Sequence, residues 1–367
     1  MNQFGLIDPN IAEIALIGTG GGYGESCVIH LGNNEWMIID SCRDPITKSI
    51  LPIEYLKEIN VPLENVKLIL CTHWHDDHIR GLSKILKECT NADFSFAKAN
   101  DLKKFLLLIS LDYEKINRDS SLSSTLEFTD CLEILKRRNS HPYFASQDRM
   151  LWSKEVNAQK CEVFTLTPSD ITLQKFDEEI STLISEYGPP NRKIIANTPN
   201  SKSVVSFIKF GHHRVLLGAD LEISADLNEG WDNILINCKS IDMKASLFKI
   251  PHHGSENSYH REIWAKMLSQ NPIAALTPWN KKNGLPELQM LQKFQTHTDK
   301  LYITSPKVNL KPKKRHRSVE KLIKQLNQKL TEVKFVKGVI QCRIKIDDPN
   351  DEWKVSPLYS AMKIDSY

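Results

Sequence analysis

The chain has 367 residues, 41% hydrophobic and 25% charged, the composition of a soluble globular protein of one large domain or two ordinary ones. Its formal net charge of +3 is too small to demand a nucleic-acid partner by itself, and no apolar run approaches the roughly 20 residues of a membrane span, so no membrane partner is expected. Eight cysteines lie scattered without a C-x-x-C pair, and the opening MNQFGLIDPNIAEI has neither a basic start nor a continuous apolar stretch; together these point to reduced thiols in the cytoplasm.

In chain order, residues 12–18 and 26–31 read as short strands joined by GTGGGYGES. The G-x-G-x-x-G spacing fails there, meeting Tyr23 or Glu25, and no Walker lysine follows. The stretch therefore reads as a hairpin-like loop that needs positive φ. Residues 35–40 (EWMIID) form a third strand ending at Asp40, and 46–59 a helix. Val66–Cys71 is a buried strand by its aliphatic and β-branched content. Directly after it come His73, His75, Asp77 and His78 in the spacing H-x-H-x-D-H. A loop leaving a strand can splay such side chains around a point: imidazoles at i and i+2 grip one ion, while Asp77 and His78 turn toward a second. Neutral imidazole with carboxylate is the ligand set of zinc and related borderline metals. Residues 79–88 follow as a helix with Leu82, Ile85 and Leu86 on one face.

From about 100 to 161 the sequence is charged and helix-prone, and it reads as a helical cap inserted beside the catalytic face. His141, before a proline, reads as a surface-loop residue. Residues 204–210 and 215–217 are strands around a turn holding His212 and His213, both read as surface residues, and the second strand runs into Gly218-Ala219-Asp220. A strand over 246–250 leads directly into His252-His253-Gly254-Ser255, and another spans 274–278. The stretch KVNLKPKKRHR opens a basic C-terminal extension over 306–367, with Lys313, Lys314, Arg315 and Arg317 as candidate contacts to a polyanion.

The stretch THWHDDHIRGL, with its trailing Gly81, resembles the metallo-β-lactamase-fold hydrolases. The H-H-G-S turn after a strand resembles the metallo-β-lactamase domain of ComEC-type competence proteins, here as a stand-alone chain. The resemblance covers most of residues 12–305 and implies an α/β fold, a four-layer αββα sandwich forming one domain over 1–367 with the helical insertion and C-terminal extension. It implies that Asp40 supports the metal loop from behind and that Asp220, in the G-A-D position, bridges two ions about 3.5–4 Å apart. In the family's H-x-G-[ST] turn the first histidine is the ligand, which favours His252, with His253 as the alternative.

A full two-metal site of the family carries one more histidine before residue 204, where this chain has Asn197, Asn200 and Ser203. The resemblance then gives the first ion His73, His75 and Asp220, completed by Asn200 or water, and the second ion Asp77, His78, Asp220 and His252. One or two Zn²⁺ ions are the expected cofactor, with Mn²⁺ as an alternative in the weaker first site. ComEC-type relatives commonly place a histidine before a proline near 285; this chain has Leu285-Pro286.

These residues lead to the expectation of a metal-dependent hydrolase, a phosphodiesterase or nuclease acting through a metal-bound hydroxide, with Asp77 and Asp220 in catalytic roles. Its partner would be a phosphate-containing substrate, nucleic acid or nucleotide. Hydrolysis of a lactone or thioester, and a non-catalytic nucleic-acid-binding module, are the alternative readings.

Overall fold

The computed structural model describes residues 7–97, 124–185, 199–281, 284–310, 316–325 and 332–365. The first half of the chain builds one sheet from β1 (Ile11–Gly18), β2 (Glu25–Gly32), β3 (Glu35–Ile39), β4 (Val66–Cys71), β5 (Asp93–Ala97) and β6 (Tyr143–Ala145). The second half builds another from β7 (Arg149–Val156), β8 (Gln159–Thr165), β9 (Ser206–Phe210), β10 (His213–Leu217), β11 (Ala245–Lys249), β12 (Leu268–Leu276) and β13 (Leu301–Ile303). After a small ribbon of β14 (Val308–Leu310) and β15 (Glu332–Lys334), the chain returns to both sheets. There β16 (Gly338–Lys345) and β17 (Lys354–Tyr359) extend the first, and β18 (Met362–Lys363) joins the second.

Each sheet has eight strands, in the orders β17-β16-β1-β2-β3-β4-β5-β6 and β18-β13-β12-β11-β10-β9-β8-β7. Period-two alternation decides how they pack. On β1, Ile14 and Leu16 face the seam between the sheets, while Ala15 and Ile17 face the helices outside; on β10, Val215 and Leu217 face the seam and Leu216 the outer helices. Outside the first sheet lie α1 (Leu51–Glu58), α3 (Leu82–Glu88), α4 (Ser124–Arg137) and α5 (Asp170–Ser185), α2 (Asp76–Ile79) being a single turn in the metal loop. Outside the second lie α6 (Gly230–Asn237) and α7 (Leu288–Gln295); α8 (Arg317–Gln325) follows β14. Three apolar layers therefore separate four layers of structure, which is an αββα sandwich.

The parallel strands matter most for function. Strands β3 through β6 run parallel, as do β10 through β13, so their carboxyl ends gather along one rim. That rim is where open α/β sheets place their ligand sites.

Two sequence readings change. Of the stretch 100–161 read as helical, residues 98–123 lie outside the described residues; α4 is helical and packs Phe128, Cys131 and Leu135 against the first sheet's outer core. Beyond it, β6, β7 and the first residues of β8 are sheet strands: β6 joins the first sheet, and 149–165 forms a hairpin whose edge strand faces water. The stretch 306–367 is likewise no appendage: Val339, Ile340, Cys342 and Ile344 of β16 pair with β1 and are buried in both cores. Lys313, Lys314 and Arg315 lie outside the described residues; Arg317 is exposed at the start of α8.

His30 on β2 is a buried histidine with both ring nitrogens used: Nδ1 donates to the Ile11 carbonyl at 2.6 Å and Nε2 accepts the Asn34 amide at 3.1 Å. Burial, helped by the charge of Arg343, pushes its imidazole down to about 4, against the pull of the Ile11 carbonyl. The unfolded chain takes up this proton near 6.5, so the stabilisation is complete above that pH and is lost as pH falls toward 4. Urea unfolding should show wild type losing about 2 kcal/mol more than His30→Gln between about pH 7 and about pH 5. Equal losses would contradict this assignment.

Candidate metal centre

The loop after β4 is shaped by Asp40, the last residue of the preceding parallel strand's turn. Its buried carboxylate accepts the Thr72 amide at 2.7 Å, the Thr72 hydroxyl at 2.6 Å and His78 Nδ1–H at 2.8 Å. With Nδ1 committed to Asp40, His78 directs Nε2 to the rim, 3.3 Å from Asp220 Oδ2. That nitrogen is buried. The single turn α2 rotates Asp77 and His78 inward, closed by the His78 and Ile79 amides on the His75 carbonyl at 2.9 and 3.0 Å.

Two glycines make room. A Cβ on Gly24 (φ +102°) would sit 2.4 Å from the Asp77 carbonyl, and one on Gly81 (φ +98°) 2.3 Å from Ile50 Cδ1. The GTGGGYGES stretch is thus a tight connection between β1 and β2 that leans on the metal loop, in agreement with the hairpin reading.

Six of the sequence candidates converge. Around Asp220 Oδ2 lie His78 Nε2 at 3.3 Å, His73 Nε2 at 3.9 Å and His253 Nε2 at 3.9 Å. Asp77 Oδ2 lies 3.4 Å from His253 Nε2 and 3.9 Å from His78 Nε2, and His75 Nδ1 is 3.2 Å from His73 Nε2. Asp77, His78 and His253 form one group able to hold an ion, and His78 with Asp220 belongs to another.

Of the two histidines offered by the sequence, this geometry favours the alternative, His253, over His252. Both residues have positive φ (43° and 54°), so the chain coils immediately after Pro251 and the two rings diverge. His253 donates Nδ1–H to the Thr277 carbonyl at 2.9 Å, which aims Nε2 at Asp77 and Asp220. His252 turns the other way: Nδ1 faces Glu222 at 3.0 Å and Nε2 meets the Asn200 amide at 3.2 Å. Asn200 also donates to Glu222 at 2.7 Å, so it stands in this neighbouring cluster. His141 is exposed, as read; His213 is instead buried, with Nε2–H on the Asp348 carbonyl at 2.9 Å.

The charges are set by mutual proximity. Burial would raise the acids, but His78 and His253 hold Asp220 well below the usual carboxylate range, and His78 with His253 holds Asp77 down too. His78 is raised against burial by Asp220, Asp77 and Asp40, whereas burial and the charge of His78 lower His73. The cluster is thus a set of ionised carboxylates that draw positive charge onto His78 and, against burial, onto His253.

Sequence reading missed a buried cation beneath it. Lys249, the last residue of β11, is ion-paired with Glu25, donates to the Ala219 carbonyl at 2.7 Å and lies 3.7 Å from Asp220 Oδ1. Asp220 therefore has one oxygen toward Lys249 and the other toward the imidazoles. The available signal was a lysine ending an apolar strand (ASLFK), where period two points it inward.

A family model described as the metallo-β-lactamase superfamily matches residues 19–116, the segment that runs from the Gly-rich loop through the His73–His78 loop. The fold is a metallo-β-lactamase fold. Solved structures with some likeness include the metallo-β-lactamase fold protein YhfI from Bacillus subtilis, at 12% identity and TM-score 0.35 over 65% of this chain and 70% of that one. Others are the metallo-β-lactamase MIM-2, at 12% and 0.35 over 72% and 80%, and the hydrolase AbOPH, at 16% and 0.28 over 44% and 69%. No curated protein matches the sequence.

Removing Lys249 strands two buried carboxylates. Lys249→Met should cost about 3–5 kcal/mol in chemical denaturation, and adding Glu25→Gln should restore a large part of that loss. Strictly additive effects of the two changes would contradict the coupling.

Proposed function

We propose that the protein is a metal-dependent hydrolase that cuts phosphodiesters, with a nucleic acid or nucleotide as substrate. The observation that carries the reading is His78: its Nε2 is buried and fixed by Asp40 so that it points between Asp77, Asp220 and His253. Two buried carboxylates this close to one another need a cation or protons among them, and the donor set is the imidazole–carboxylate mixture that zinc takes.

His73, His75 and Asp220 would hold one ion, and Asp77, His78, Asp220 and His253 a second. The first set lacks a third imidazole, which fits weaker binding and tolerance of manganese. A bound divalent cation supplies Lewis acidity and lowers the pKa of water from about 15.7 toward roughly 7. The chain's own residues would contribute as follows: Asp77, held ionised by His78 and His253, would accept a hydrogen from the attacking water and orient it. Asp220 offers one oxygen to the imidazoles while Lys249 faces the other. Asp40 holds the His78 ring, and His252 with Asn200 and Glu222 forms a polar wall beside it.

The phosphoester class is favoured by the exposed lysines Lys48 and Lys281 on the loops at the mouth, and the ComEC-type assignment by the His252–Ser255 turn. The eight free thiols support a reducing compartment.

The test is turnover of bis-p-nitrophenyl phosphate against p-nitrophenyl acetate and a simple lactone after stripping and restoring zinc or manganese. The diester should be cut, with at least about a hundredfold loss in His75→Ala and Asp220→Ala, and a loss of roughly 10–100-fold in Asp40→Asn. Faster acyl than diester turnover, or diesterase activity untouched in both alanine variants, would overturn the reading.

A further inference from the structure

The Gly-rich loop carries an aromatic residue, Tyr23, whose ring lies 6.1 Å from that of Phe335. Around it, contacts run without a gap from the metal centre outward. The Trp279 ring lies 5.5 Å from the His253 ring. Lys281 Nζ stands 5.3 Å from the centre of the Trp279 ring and 5.7 Å from that of Tyr23, and Lys48 Nζ is 4.5 Å over Tyr23. These are cation–π distances, and Lys48 Nζ also donates to the Pro45 carbonyl at 2.5 Å, so the ammonium groups are held in place.

The platform is tied to the scaffold on both sides. Asn280 donates its amide to the Gly20 carbonyl at 2.6 Å, and Trp279 exchanges backbone hydrogen bonds with Leu285 at 2.8 and 2.7 Å. Gly22 approaches so closely that a Cβ there would lie 2.7 Å from Trp279 Cη2 and 2.9 Å from Lys281 Nζ.

Both lysines are exposed, and among the described residues neither is paired with a carboxylate. Asp44, the acid nearest Lys48 in sequence, is taken by the Ile46 and Thr47 amides at 2.8 Å each. Rings that immobilise unpaired cations reduce the entropy that a bound anion would otherwise have to cost. An ammonium pair on aromatic supports tracks the backbone of a single strand, whose phosphates are spaced along an unpaired chain.

We infer that Tyr23, Trp279, Lys48 and Lys281 form a phosphate-binding subsite that holds the phosphates flanking the scissile bond of a single-stranded polynucleotide. The inference rests on the phosphodiesterase reading for its location, and its test does not depend on turnover. Full-length protein silenced by Asp77→Asn is titrated with a fluorescently labelled oligothymidylate at several salt concentrations, read by anisotropy.

Lys48→Gln with Lys281→Gln should weaken binding several-fold and flatten the log–log salt slope by about 1.4, about 0.7 for each ammonium group removed. Tyr23→Leu keeps both charges and should weaken binding with the slope unchanged. An unchanged slope in the lysine double variant overturns the subsite even if the enzyme cuts diesters. A flattened slope supports it even if the wild type proves to cut none. Displacement of the strand by thymidine monophosphate at equal phosphate concentration would overturn the polynucleotide as ligand.

Discussion

Burying Asp40, Asp77 and Asp220 within one rim is the constraint on which the architecture turns. Carboxylates taken out of water are tolerated only when opposite charge or hydrogen-bond donors surround them. The fold answers in three ways. Asp40 is saturated by Thr72 and His78, Asp220 is divided between Lys249 and the imidazoles, and Asp77 faces His78 and His253. Each answer comes from a different strand end, so the site exists only when both sheets are aligned.

The backbone shows what that alignment costs. Asp40, Ala219, His252 and His253 all have positive φ, between 43° and 57°, and none is glycine. Residues with a Cβ occupy this region at a penalty of order 1–3 kcal/mol each, and they persist where surrounding structure over-determines them. Here the over-determination is visible: the His252 amide donates to the Ala219 carbonyl at 3.0 Å, joining two of the strained turns across β10 and β11. The apolar layers on either side, which bury residues such as Trp36, Phe210 and Trp231, supply the rigidity that holds these turns.

Much of this was legible in the sequence. Short apolar runs rich in aliphatic and β-branched residues marked β1, β2, β4, β9 and β10, and the H-x-H-x-D-H spacing marked the loop after β4. What failed to show is equally physical. The hairpin β7–β8 lies at a sheet edge where Arg149, Met150 and Lys154 face solvent, so its alternation is diluted by charge. Strand β16 is local in pattern but pairs with β1 more than 300 positions away, which no local signal reveals. The choice between His252 and His253 depended on two left-handed residues in a row, and spacing alone cannot report a ring's direction. Glu25 and Lys249 looked like ordinary charges because their partner was distant in sequence.

The most direct check on this account is the metal content per chain of wild type, His252→Ala and His253→Ala, by elemental analysis of protein purified without added chelator. One or two ions in wild type, retained in His252→Ala and reduced in His253→Ala, is the expected pattern. Metal lost from His252→Ala and kept in His253→Ala, or no bound metal in wild type with zinc or manganese supplied, would contradict it.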